Sequence, residues 1–214
     1  MGARRQAKTV KTPAAGVTEG ASGAKAKIER AALDLFCARG VDAVTTREMA
    51  AESGVSEGAL YRHYPSKESL AQTMFFAIHA RLAREVAAAA KDRRGIEAKA
   101  RAIVGAYVKI ADEDWTLFSY HLLTTHRFLP YADKSVKARE HNIVAIVEEM
   151  IAGAMAAKEI PEGDASLKAA AALGVVMQAA LHKIYGRVTG DLARHEDAPR
   201  PRRHRRVEIV KRLT

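Results

Sequence analysis

The stretch 44–67, VTTREMAAESGVSEGALYRHYPSK, constrains the fold of this chain more than any other. It spells two short helices joined at a glycine. Thr46 is placed to cap the first, which carries Met49 and Ala50 on one side and runs to Ser53. Gly54 tolerates a positive φ and turns the chain, Val55 points back to a core, and Ser56 offers its hydroxyl to the free amides of a second helix. Along that helix Val55, Ala59 and Leu60 share a buried side, which leaves Glu57, Gly58, Tyr61, Arg62 and His63 to a partner. Pro65 stops it, and Ser66 caps the next helix with Ser69 at the third position. The pattern is a helix-turn-helix.

A helix of this size fits the major groove of B-DNA, where its N-terminal amides and positive dipole end meet phosphate. Ser56 and Gly58 let the backbone come close. Tyr61, His63 and Lys67 supply groups suited to the sugar-phosphate chain, while Glu57 and Arg62 are long enough for base edges. Were the motif used only for packing, its exposed aromatic and basic groups would have no reason to be there.

Ahead of the motif, Ile28, Ala31, Ala32, Leu35 and Phe36 recur at three- and four-residue spacing in a helix from about Ala24 to Gly40. Three such helices bury a shared core, closing a compact unit near Ser66. The apolar face with Phe36, then Gly40, the run Val44, Thr45, Thr46, then Ala50, Gly54 and VSEGALYRHYPSKESL together resemble the DNA-binding domain of the TetR family of bacterial transcriptional repressors. The resemblance covers residues 25–70; the remainder is similar in layout and length alone. It implies that Thr46, Ser56, Gly58, Tyr61, His63 and Lys67 contact phosphate and that Glu57, Ala59 and Arg62 approach bases. Arg47 completes the candidate DNA-binding set.

The expected fold is all-α: a three-helix head at 25–67 and a larger helical body at 68–198 for ligand binding and dimerisation, flanked by a disordered basic tail, 1–24, and a basic segment, 199–214. A long helix from Ser66 to about Arg93, through Leu70, Met74, Phe75, Ile78, Leu82 and Val86, joins head to body as a lever or as a rigid linker. Another spans 96–111. The acidic run 112–114 suits the start of a helix that ends before Pro130. Tyr107, Trp115, Phe118, Tyr120, His121, His126, Phe128 and Tyr131 concentrate there, as core or as pocket lining, and the family resemblance implies a cavity. The candidate ligand-binding set is Tyr107, Trp115, Phe118, His121, Leu122 and Met177.

Helices over 134–157 and 165–188 carry the dimer expectation. The first has two apolar stripes, Ile143, Val147, Met150, Ala154 and Val144, Ile151, Met155; the second is dense in small residues, Ala169 to Ala172, Gly174, Ala179 and Ala180. Paired with the same two helices of a second chain they form a four-helix bundle, and a two-fold dimer reads a palindromic operator. At the end, Val207, Val210 and Leu213 fit an amphipathic helix on the body or a second basic patch.

The net charge of +10 looks like a nucleic-acid signature, but residues 1–24 supply +3 of it and 199–214 supply +6, so the motif itself must carry the DNA argument. The N-terminal arm either lies along DNA or is a solubilising tail. A single cysteine, Cys37, excludes an intrachain disulfide framework. The longest apolar stretch, 169–181, is mostly Ala and Gly, is broken by Gln178 and falls short of a bilayer crossing; no apolar segment follows the basic N-terminus. The expectation is a cytoplasmic protein without a membrane span.

Metal sites, cofactors and catalytic constellations are not expected: the eight histidines are scattered, His121 and His126 stand five apart, and no HExxH or CxxC occurs. Residues 54–58 match the G-x-S-x-G nucleophile elbow, but that motif needs a strand before the serine, and helical, alanine-rich sequence precedes Ser56. The favoured function is a ligand-responsive regulator, a repressor that binds double-stranded DNA as a homodimer and is released by a small hydrophobic or aromatic effector. The alternative is a constitutive, weakly sequence-selective DNA-binding protein without an effector.

Overall fold

The computed structural model describes residues 16–135 and 142–195, which form eight α-helices and no strand. In chain order these are α1 (Gly23–Arg39), α2 (Thr46–Ser53), α3 (Glu57–His63), α4 (Lys67–Lys91), α5 (Ile96–Glu113), α6 (Trp115–Ser135), α7 (Ile143–Ala156) and α8 (Ala165–Ile184). A short 3-10 turn, Leu192–His195, follows.

Helix α1 buries Ile28, Ala31, Ala32, Leu33 and Phe36, so Leu33 takes the core position expected of Leu35, which is half-buried. Gly40 ends it at φ 80°. The cap of α2 is Thr45, not Thr46: Thr45 Oγ1 accepts the Glu48 amide at 3.2 Å and the Glu48 carboxylate accepts the Thr45 amide at 2.8 Å. A Glu at the third position lets both partners satisfy free amides at once, which is why the box forms one residue early. Gly54 turns the chain in the left-handed region at φ 66°, and the Val55 amide reaches back to Ala50 O. Ser56 then caps α3 through the Ala59 amide, and Ser66 caps α4 through Ser69 as expected.

Helix α4 runs 25 residues out of the head into the body with Leu70, Met74, Phe75, Ile78, His79, Leu82 and Val86 buried along it. One continuous apolar core follows it from Ile28 and Phe36 to Ile110, Phe128 and Val147. Three expected boundaries move. Asp112 and Glu113 close the last turn of α5, and only Asp114 caps α6, taking the Leu117 amide at 3.0 Å. Helix α6 does not stop before Pro130 but continues to Ser135, so the helix expected from 134 begins at Ile143 instead, capped by Asn142. Helix α8 ends at Ile184 rather than 188.

Two further expectations change. Residues 16–22, assigned to the tail, turn back onto α1, where the fully buried Glu29 accepts the Thr18 amide at 2.8 Å and its hydroxyl at 2.5 Å. And α8 is, by length and mean hydropathy of 1.2, long and apolar enough to cross a membrane, contrary to the reading of 169–181. Only Ala169 and Ala180 of it are buried, and Leu167 and Val175 in the helix and Tyr185 just past its end are exposed. The expectations for residues 1–15 and 199–214 lie outside the described residues.

Candidate nucleic-acid interface and internal cavity

The exposed face of the head is built by caps. Because Ser56 holds the first turn of α3 from outside, the helix presents Glu57, Gly58, Tyr61, Arg62 and His63 to solvent while Leu60 is fully buried beneath them and Ala59 half-buried. Thr46, freed from capping, crosses to α3: its hydroxyl lies 3.3 Å from the Tyr61 hydroxyl and donates to Glu57 at 3.3 Å. Arg47 is exposed. A Cβ on Gly58 would meet nothing nearer than Ser56 Oγ at 4.0 Å, so nothing within the chain demands a glycine there. Lys67 is engaged at its end group too, donating to Asp42 O at 3.1 Å. The far end of α3 is anchored by Tyr64, whose hydroxyl donates to Glu29 at 2.5 Å; this link between the N-terminal turn, α1 and α3 carried no sequence signal beyond an acid on an apolar face.

The Glu48 carboxyl, bonded to Arg39 and to the Thr45 amide and hydroxyl, is held down at about 2. It therefore stays ionised and keeps its acceptor role in the capping box across the physiological range.

In the body, α4 to α8 enclose a cavity of about 60 Å³. His79 of α4, Tyr107 of α5, Phe118, His121, Leu122 and Thr125 of α6, Ile143 and Val144 of α7, and Leu173, Val176 and Met177 of α8 line it. Of the six expected residues, Tyr107, Phe118, His121, Leu122 and Met177 come together. Trp115 does not: it stacks on Phe118 at 6.0 Å with Lys183 Nζ 4.4 Å above its ring, which places it behind the wall. His126 is exposed, Phe128 packs on Phe75, and the buried Tyr120 donates to Ala71 O at 2.8 Å. His79 was missed, although it sits in the buried stripe of α4 between Ile78 and Leu82. His79 Nδ1 and His121 Nε2 lie 3.0 Å apart, both rings stacked on Phe75. Burial, and then the neighbouring His79, push His121 down to about 3, so it is neutral at physiological pH.

Among the described residues no group of three or more metal-ligating side chains gathers. Residues 28–74 match the family model of bacterial regulatory proteins of the tetR family. Over those residues the chain is similar to the DNA-binding domain of that family. The nucleoid occlusion factor SlmA of Klebsiella pneumoniae is 28% identical over 137 residues, 64% of this chain and 68% of that protein. The fatty acid degradation regulator FadR of Bacillus halodurans shares the fold at 15% identity with a TM-score of 0.70, over 82% of this chain and 92% of that one. FadR of Bacillus subtilis, solved with stearoyl-CoA, does so at 17% and 0.62, over 78% and 91%. A tetR-family regulatory protein of Rhodococcus RHA1 does so at 24% and 0.64, over 75% and 84%.

The helix-turn-helix and the cavity are joined by more than α4. The N-terminal half of α6 lines the cavity with one face and grips the head with another. Arg30 of α1 donates to Asp114 at 2.6 Å, Cys37 donates its thiol to Thr116 O at 3.1 Å, and Phe36 stacks on Tyr120 at 6.0 Å. Further along, Arg127 donates to Asp42 at 2.8 Å, the same residue whose carbonyl holds Lys67. Cys37, half-buried and beside Asp34, has its thiol pushed up to about 12, so it is a protonated donor and not a reactive thiolate.

Proposed function

We propose that the protein is a ligand-responsive transcriptional repressor: a homodimer binds a palindromic operator through two copies of α3, and a small apolar effector in the cavity releases it. The observation that carries this reading is the shared use of α6, whose side chains wall the cavity and whose ends are bonded to the head. A body that only dimerised would need no cavity in contact with that helix. At about 60 Å³ the cavity is smaller than a single aromatic ring needs, so an effector enters by pushing α6 away from α7 and α8. Displacing α6 tilts the heads, and a pair of heads at altered spacing no longer matches successive major grooves. The effector acts only through its difference in affinity for the two states, so operator weakens effector binding by the same factor.

In this reading Thr46, Arg47, Ser56, Gly58, Tyr61, His63 and Lys67 position the head on phosphate, and Glu57, Ala59 and Arg62 read bases. The dimer forms through α7 and α8, where Leu167, Val175 and Tyr185 stand exposed with Ala171, Gly174 and Ala179 small between them. Burying that face also accounts for the apolar length of α8 without a membrane, and a DNA partner sets the site of action in the cytoplasm.

Selection of duplexes from a random pool tests the reading: the expected product is a motif with dyad symmetry. Binding to it is at least 100-fold tighter than to random duplex at physiological salt. A pool with no enriched motif overturns it. On the selected site, Lys67→Ala weakens binding to all sequences evenly, whereas Arg62→Ala relaxes preference at particular bases.

The alternative, constitutive DNA binding without an effector, draws on two observations: the similarity to nucleoid occlusion factor SlmA and the small cavity volume. It predicts operator affinity that no apolar compound changes.

A further inference from the structure

The cavity carries few polar groups. Among the described residues no Lys, Arg, Asp or Glu lines it, and the Thr125 hydroxyl is spent on its own helix, donating to His121 O at 2.7 Å. What remains is the His79–His121 pair, hydrogen-bonded at 3.0 Å, and the Tyr107 phenol on the facing helix α5. In a neutral pair of imidazoles one ring donates and the other accepts, so the pair holds together while its protons shift between tautomers. Tyr107 is 8% exposed, and burial alone raises its pKa, with no hydrogen bond or charge contributing. Among the described residues its hydroxyl meets no acceptor.

Resting on the effector reading above, we propose that the cavity selects uncharged apolar molecules carrying a single hydrogen-bonding oxygen, an alcohol, phenol or ketone, with Tyr107 and the His79–His121 pair as its specificity-determining residues. A carboxylate entering the same space would shed its water among Phe118, Leu122 and Met177 with no cation to meet it. An imidazolium could act as that cation, but it would have to form in a buried site beside a second imidazole, where the charged form is disfavoured. An ammonium ligand is excluded for the complementary reason, as no acid lines the wall. An oxygen that neither carries charge nor demands it satisfies Tyr107 at little desolvation cost, and the apolar remainder supplies the binding energy.

The test uses four probes with one ring and different polarity: toluene, benzyl alcohol, benzoate and benzylamine, titrated into the full chain at pH 7.5. The protein's single tryptophan, Trp115, stacked on the cavity residue Phe118, reports occupancy by fluorescence, and thermal shifts give a second readout. Benzyl alcohol is expected to bind at least ten times more tightly than benzoate or benzylamine, and several times more tightly than toluene. In Tyr107→Phe and His121→Phe the alcohol falls toward toluene while toluene itself is unchanged. Benzoate binding as tightly as benzyl alcohol overturns the inference, as does a wild-type protein that does not distinguish benzyl alcohol from toluene. In either of those cases bound toluene leaves the effector reading standing. If none of the four binds and none alters operator affinity, the effector reading falls together with the inference.

Discussion

Single residues in the head divide into those that hold its shape and those that face outward. Thr45 and Thr46 are neighbours with opposite duties: the first closes the capping box, the second joins Tyr61 and Glu57 across the exposed face. Thr45→Ala is expected to lower stability by about 1 kcal/mol in urea unfolding and Thr46→Ala to lower operator affinity with stability nearly unchanged. Gly58 sharpens the distinction. With no neighbour for an added Cβ closer than 4.0 Å, Gly58→Ala should leave the fold as stable or up to about 1 kcal/mol more so, since alanine is the better helix former. If α3 enters the groove as proposed, the same methyl group stands where a phosphate or base edge approaches, and affinity in fluorescence anisotropy is expected to fall tenfold or more. In the cavity, His121 is held at about 3 against about 6.5 in an unfolded chain. Between those values the unfolded chain binds the extra proton. This contribution is therefore complete above pH 6.5 and drains as pH falls, by about 2 kcal/mol at pH 5. Thermal unfolding from pH 7 to 5 should fall more steeply in the wild type than in His121→Phe.

Helices were legible where their ends are made by local chemistry. Ser56, Gly54, Ser66 and Gly40 each cap or terminate within a few residues of sequence, and the buried stripe of α4 keeps its period from Leu70 to Val86, so the head and the long helix could be drawn from residues alone. Helix α6 was misjudged because its end is not local. Pro130 removes one amide and normally stops a helix, yet α6 continues to Ser135. Misplacing that end also misplaced the start of α7. The candidate site shows the same division. Five of the six residues expected at a pocket line the cavity, Tyr107, Phe118 and His121 among them because aromatic and polar-tipped side chains cluster in α5 and α6, whereas His79 lies some forty residues earlier and reaches them only through the fold. Trp115 was included on residue type and excluded by its stacking on the outer side of Phe118. Helix α6 also carries its own prediction. Arg127→Ala removes an exposed ion pair of little weight in stability, but it also severs a bond between the cavity helix and the loop that holds Lys67. Operator affinity without effector is expected to change less than threefold, while the effector concentration needed for half-release rises.

At the scale of the molecule, the uncovered side of α8 is what the single chain leaves unsolved. Leu167 and Val175 of α8 and Tyr185 just past its end are 70%, 73% and 62% exposed, a surface that water penalises and that, in the dimer proposed above, a second copy would cover. Val175→Glu places a charge in the middle of it, and sedimentation at micromolar concentration should shift from dimer to monomer with the monomer still helical by circular dichroism. Operator binding by that variant should fall at least tenfold, since a lone head makes half the contacts. The uncovered side of α8 also has a consequence for dosage. If half-assembled molecules cannot hold a two-fold site, occupancy at low abundance climbs with the square of the number of chains present. A cell making only slightly too few copies would then lose control of its target genes abruptly.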